Sequence, residues 1–196
     1  MVITDRFAWA HLPKAAGDAT AAMFAAVPGL VRYQTPIDSN HKHDGFWVHA
    51  EAIGDRTRVM NLRRLPSWIL SAANHKARSG LYPDYKPLPM PSVEEMADET
   101  DPAHLLRWMT GPDLPVERWL RAETLASDVE QLLLDVGVAA ADAAAAVRSV
   151  PWTGNDYDHD VASIFTPGQI SNMYERNPDW ATAEIEAYGD ILSVAG

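Results

Sequence analysis

The stretch Phe7-Ala8-Trp9-Ala10-His11-Leu12-Pro13-Lys14-Ala15-Ala16-Gly17-Asp18-Ala19-Thr20 constrains the fold more than any other. It reads as an apolar strand over 6–12, a tight turn carrying Lys14 and Gly17, and the start of a helix. Strand, turn and helix in that order bring backbone N–H groups and a helix N-terminus to one point. Such a point suits a phosphate or sulfate group. On this stretch alone an ordinary βα turn reads the same way, with Gly17 easing the bend and Lys14 solvated.

The rest of the first 75 residues continues the alternation. A helix is expected from Asp18 to Val27, stopped by Pro28-Gly29, and a strand over Leu30–Gln34. Residues 35–45 read as a loop, and Phe46–Ile53 is ambiguous between helix and strand. Arg56–Leu62 is expected as a strand, followed by a helix opened by Pro66 and ending near Ser79-Gly80. Leu81–Pro91, with its four prolines, reads as an extended surface segment over a cleft. Ser92–Glu95 has capping-box spacing, and Asp101–Met109 follows as a helix. Val116–Ala122 suits a fourth strand. Leu125–Val136 and Ala139–Val147 suit helices, and 150–165 reads as an irregular loop. Thr166-Pro167-Gly168-Gln169 is a second capping box, and Asn177-Pro178-Asp179 is expected to cap a last helix to about Tyr188. The expected fold class is therefore α/β, a parallel sheet flanked by helices, with a mainly helical C-terminal half. The 196 residues suit one domain. Lys14 follows the first strand and Arg63 the third, where open parallel sheets place ligands.

Charge narrows the function. The formal net charge of −11 argues against general binding to nucleic acid or to an anionic membrane. Yet residues 56–79 hold Arg56, Arg58, Arg63, Arg64, Lys76 and Arg78 and no acidic residue. A basic zone on an acidic chain suits a discrete anionic ligand; pairing with the chain's own acidic loops is the alternative. There is no cysteine, so thiolate metal sites and disulfides are excluded. The N-terminus lacks the pattern of a signal peptide and no apolar run matches a membrane span, so a soluble, cytoplasmic protein is expected.

No G-x-x-x-x-G-K-[ST] motif is present, because Lys14 precedes Gly17. The strand followed by His11-Leu12-Pro13-Lys14-Ala15-Ala16-Gly17 instead resembles the 5′-phosphosulfate loop of sulfotransferases that use PAPS (3′-phosphoadenosine 5′-phosphosulfate). That family's second signature, an Arg at a strand end with a Ser eight residues on, is matched by Arg63 and Ser71. Trp119-Leu120-Arg121-Ala122-Glu123-Thr124-Leu125 is similar to its R-x-E-x-L piece, and Thr166–Gln169 with Tyr188-Gly189 resembles its C-terminal part. The pieces come in the family's order. The resemblance departs in two places: Asp18 stands where Thr or Ser is usual, and Pro66 is displaced by one residue from the usual R-[DN]-P.

The resemblance implies a P-loop-like sulfotransferase architecture and transfer of a sulfuryl group from PAPS to a hydroxyl of a small-molecule or carbohydrate acceptor, leaving PAP (3′-phosphoadenosine 5′-phosphate). Lys14 would neutralise charge on the bridging oxygen. The amides of Ala15, Ala16, Gly17, Asp18, Ala19 and Thr20 would hold the 5′-phosphate, with Asp18 turned away as a helix cap and Thr20 supplying the hydroxyl. Arg63 and Ser71 would bind the 3′-phosphate. A general base is needed for the acceptor hydroxyl, and His43, then His41, is favoured. A metal reading of His41, His43, Asp44 and His49 stays open beside it. His11, Trp9, Trp47 and Trp68 are expected to be packed residues. Tyr82, Tyr85, Trp152 and Tyr157 are expected to wall an acceptor pocket. A non-catalytic nucleotide-binding protein of the same fold, or a small-molecule kinase, is the alternative function; oligomeric state is open.

Overall fold

The computed structural model describes residues 1–36, 39–78, 88–112, 115–151 and 157–193. The chain divides into two compact units, 1–62 with 107–154 and 63–106 with 155–196.

The first unit is built on a mixed sheet of five strands: β1 (Val2–Ile3), β2 (Phe7–Ala10), β3 (Tyr33–Gln34), β4 (Thr57–Leu62) and β5 (Arg118–Arg121). Their order is β3-β1-β2-β4-β5. β2, β4 and β5 are parallel, with Ala10 opposite Met60 and Leu62 opposite Arg121. β1 is antiparallel to both β2 and β3. The expected parallel core is therefore present, and the antiparallel β1 corrects the all-parallel expectation. Two residues are too few to show a period, so β1 leaves no mark in the sequence. β2 is buried at all four positions, as befits a central parallel strand covered on both faces.

Three helices pack on the sheet: α1 (Gly17–Ala25), α6 (Leu125–Asp135) and α7 (Ala140–Ser149). Met23 and Phe24 of α1 meet Phe7 and Trp9 of β2, and Val129, Leu132 and Leu133 of α6 join Ala143, Ala146 and Val147 of α7 in the same core. Between β3 and β4 the chain makes 3₁₀ turns over Asn40–His43 and Phe46–His49, then the short α2 (Ala50–Ile53). The loop expected over 35–45 thus contains a helical turn, and the ambiguous segment resolves as helix.

The second unit is helical. It holds α3 (Leu65–Arg78), α4 (Val93–Ala97), most of α5 (Asp101–Thr110), α8 (Val161–Ile164), α9 (Pro167–Arg176) and α10 (Pro178–Tyr188). Both capping boxes form: Ser92 with Glu95 and Thr166 with Gln169. α8 interrupts the stretch expected as irregular. Asn177 precedes α10, but its side chain makes no cap bond. It is fully buried and instead accepts from Ala103 N at 3.1 Å and donates to the carbonyls of Glu99 and Met173. Trp68 of α3 and Trp180 of α10 lie with ring centroids 5.2 Å apart. Among the described residues no helix is long and apolar enough to cross a membrane. The expected helix end at Ser79-Gly80, and Tyr82, Tyr85 and Trp152, lie outside the described residues.

Candidate functional site

The loop between β2 and α1 departs from ordinary turn geometry. Lys14 and Ala16 both have left-handed backbone, with φ of 61° and 62°. Left-handed backbone at a non-glycine residue costs of order 1 kcal/mol or more and persists only where surroundings impose it. Ala16 is also the N-cap residue of α1, and no side chain caps the helix. The first partnered amide of the helix is that of Thr20, which donates to Ala16 O at 3.1 Å. The N–H groups of Ala16, Gly17, Asp18 and Ala19 have no acceptor among the described residues. Four donors without an acceptor among the described residues, at the positive end of a helix and beside half-buried Lys14, are the groups that can bond an oxyanion.

Asn61, which the strand pattern of β4 conceals, holds this loop in place. It is fully buried. Its Oδ1 accepts from Trp9 Nε1 at 2.6 Å, and its Nδ2 donates to Ala15 O and to Thr20 Oγ1, each at 2.8 Å. The Thr20 hydroxyl in turn donates to Ala16 O at 3.1 Å. That hydroxyl is spent inside the loop and fully buried, so it does not stand in for the hydroxyl that Asp18 replaces. Register explains the clamp: Met60 lies opposite Ala10, so Asn61 falls beside the start of the turn.

His11 explains Gly17. The imidazole lies 5.3 Å from the Trp9 ring system and covers Gly17 so closely that a Cβ there would stand 2.0 Å from His11 Cδ2. His11 is buried, and burial together with His43 pushes it down to about 3, so it is neutral at ordinary pH. It sits just past β2 as the packed residue the sequence suggests.

His43 turns onto the same face. Its ring centroid lies 4.6 Å from that of His11, and its Nδ1 is 3.0 Å from the His11 carbonyl oxygen. A carbonyl only accepts, so Nδ1 carries the proton and Nε2 keeps its lone pair. Nε2 has no partner among the described residues. Burial holds His43 below its ordinary pKa. His41, by contrast, is largely exposed and lies 3.5 Å from Asp44 Oδ2. Asp44 meets His49 Nε2 at 2.9 Å. The four candidate metal ligands therefore split, with His43 facing His11, and among the described residues no group of three or more His, Asp or Glu is placed to hold a metal.

Asp18 is the second residue of α1 and makes no cap bond, contrary to the expectation of a helix cap. Its carboxylate faces Lys42 Nζ at 3.4 Å and His11 Nε2 at 3.9 Å. Lys42, one of several polar residues in the 35–45 segment, thus brings a second cation to the N-terminal turn of α1. Trp9 and Trp68 are buried as expected, but Trp47 is 48% exposed and its Nε1 donates to Trp108 O at 2.8 Å.

In the second unit, the basic stretch sorts its arginines. Arg64 is committed: to Glu184 at 3.1 Å, to Asp190 at 2.6 Å, and over the Tyr188 ring at 4.1 Å. The Arg63 guanidinium has no hydrogen bond or ion pair among the described residues. Ser71 is 5% exposed, and its hydroxyl has no hydrogen bond among them either. In the first unit, Arg56 bonds the carbonyls of Thr4, Ala52 and Ile53, and Arg58 meets Glu117 at 3.2 Å. Arg121 forms a fork with Asp128 at 2.7 and 2.9 Å, and Leu125 enters the core. Tyr157, expected at an acceptor pocket, packs at a tilt against His159, with ring centroids 4.1 Å apart. Set against family models, curated proteins and solved structures, the chain matches none.

Proposed function

We propose that this chain is a sulfotransferase of P-loop-like architecture that moves a sulfuryl group from PAPS to a hydroxyl of a small-molecule or carbohydrate acceptor. The observation that carries the reading is the β2–α1 loop, with left-handed Lys14 and Ala16 and four amides over Ala16–Ala19 that have no acceptor among the described residues. An ordinary βα turn needs neither. The donor set fits a 5′-phosphate, and Lys14 adds a cation beside it. Arg63 and Ser71 offer a guanidinium fork and a hydroxyl, unspent among the described residues, of the kind a 3′-phosphate takes.

PAPS, when bound, supplies the sulfuryl group and departs as PAP. The chain's residues position and stabilise: sulfuryl transfer resembles phosphoryl transfer, in which alignment and charge neutralisation dominate. His43 Nε2 takes the proton of the acceptor hydroxyl. Burial keeps the ring neutral and therefore competent as a base near neutral pH. His11 supports it by fixing its Nδ1 through the backbone carbonyl. Asp18 works against anion binding, and its pairing with Lys42 offsets part of its charge.

The test is ligand stabilisation followed by turnover. PAP at about 100 times its Kd should add about 2.7 kcal/mol by mass action, a Tm rise of roughly 5–10 °C for a chain of this size. Lys14→Ala and Arg63→Ala should each abolish the rise. His43→Ala should retain it while losing PAPS-dependent sulfation across a panel of sugars and phenols. No shift with PAP, or a larger shift with Mg·ATP, overturns the reading in favour of another nucleotide enzyme.

A further inference from the structure

We propose that Trp180 and Glu184 of α10 are positioning residues for Arg63, holding the backbone from which its guanidinium reaches the 3′-phosphate. The inference rests on the reading of Arg63 given above and goes beyond it, because neither residue belongs to the motifs of the cofactor site.

The two residues are one helical turn apart and so share a face of α10. Both are fully buried. Trp180 Nε1 donates to the Arg63 carbonyl at 3.1 Å. Glu184 accepts from the Leu65 N–H through one oxygen and from Arg64 Nη1 at 3.1 Å through the other. The segment Arg63–Leu65 is therefore fixed at three consecutive residues by one face of one helix. Tyr174 completes the clamp: its hydroxyl donates to the Glu184 carboxylate, within 3.1 Å, and accepts from Leu192 N. Trp180 also packs at a tilt against Trp68, one turn into α3.

The arrangement separates two adjacent arginines by role. Arg64 is consumed by Glu184, Asp190 and the face of Tyr188. Arg63 is held by its backbone, with a side chain unspent among the described residues. A ligand-binding side chain on a locked backbone loses little entropy when it meets its anion, the arrangement expected of a preorganised site. A helix built only to fill the core would need the ring of Trp180 but not its N–H, and no carboxylate.

The test compares two nucleotides that differ only in the 3′-phosphate. The ratio of Kd for AMP to Kd for PAP, measured by calorimetry, isolates the contact made by Arg63. Trp180→Phe keeps the ring beside Trp68 and removes the N–H; Glu184→Gln keeps the shape and removes the charge. Each should lower the ratio roughly tenfold, the scale of a misplaced charge-assisted contact, while leaving AMP affinity within about twofold. Asp190→Asn, which loosens Arg64 from its exposed side, should leave the ratio within about twofold. If Trp180→Phe lowers Tm but preserves the ratio, the two residues are structural only and the proposal fails, whether or not Glu184→Gln folds. If the wild-type chain and Arg63→Ala show the same ratio, the assignment of Arg63 itself fails.

Discussion

At the scale of single residues, the β2–α1 loop sets two neighbours against each other. Ala16 carries φ of 62°, a conformation that glycine adopts without penalty. Ala16→Gly should therefore stabilise the chain by about 1 kcal/mol and raise Tm by about 2–4 °C in scanning calorimetry. An unchanged or lower Tm would show that the turn carries no strain at that position. One residue on, the requirement reverses in kind: Gly17 is needed for space, because a Cβ would meet the His11 ring at 2.0 Å. Gly17→Ala should cost about 1–3 kcal/mol, and adding His11→Ala should recover part of it by removing the obstructing ring. Asp18 is 66% exposed, so replacing it should barely alter stability. Its backbone contributes one of the four amides that have no acceptor among the described residues, however, and Asp18→Thr should tighten PAP binding roughly tenfold at low salt, less so at high salt. Equal affinity for PAP in the two proteins would remove Asp18 from the anion site.

Elements join through a few buried polar residues, and these govern how rigid each loop is. Asn61 ties β4 to β2 through Trp9 and to the loop through Ala15 and Thr20. Asn61→Ala should cost about 2–4 kcal/mol, since it leaves the buried Trp9 N–H and Ala15 carbonyl without partners. Amide exchange should accelerate first over residues 14–20; uniform acceleration would mean that Asn61 serves the sheet alone. The sequence announced the elements far better than these ties. Capping boxes at Ser92 and Thr166 were legible because cap chemistry is local and has a fixed spacing. β2, β4, α3, α6 and α7 were legible from apolar runs and helical periodicity. Asn61, Asn177 and Glu184 were not, because each looks like a polar residue in an otherwise regular element and its partners lie tens of residues away in sequence. Trp47 misled for the complementary reason: a large aromatic reads as core, yet its Nε1 is satisfied by Trp108 O and its ring stays exposed. The β2–α1 loop was visible through its residue types, while its distinguishing feature, left-handed backbone at Lys14 and Ala16, has no sequence signature.

Across the whole molecule, the two units carry buried titratable groups that respond to acid in opposite directions. In the first, burial and the neighbouring His43 push His11 down to about 3, from an ordinary value near 6.5. The unfolded chain then binds the proton more readily than the folded one, so stability contributed by neutral His11 is present above pH 6.5 and lost as pH falls toward 3. His43, also held low by burial, acts in the same direction. In the second unit, burial raises Glu184 to about 7, from an ordinary value of 4.5, against the bonds from Leu65 and Arg64 that favour its charged form. Here the folded chain binds the proton more readily, so the contribution is fully present below pH 4.5 and lost as pH rises through 7. Between pH 6.5 and 4.5 each fully responding group changes stability by about 1.4 kcal/mol per pH unit, and the two signs oppose. Exchange free energies, corrected for intrinsic rates, should therefore fall on acidification for β2 and β4 and rise for α3 and α10 over that window. Glu184→Gln should abolish the rise in α3 and α10 and leave the fall in β2 and β4 unchanged. His11→Leu, which removes a titrating group from the same buried position, should do the reverse. A common slope in both units, insensitive to either substitution, would show that neither group controls the acid response.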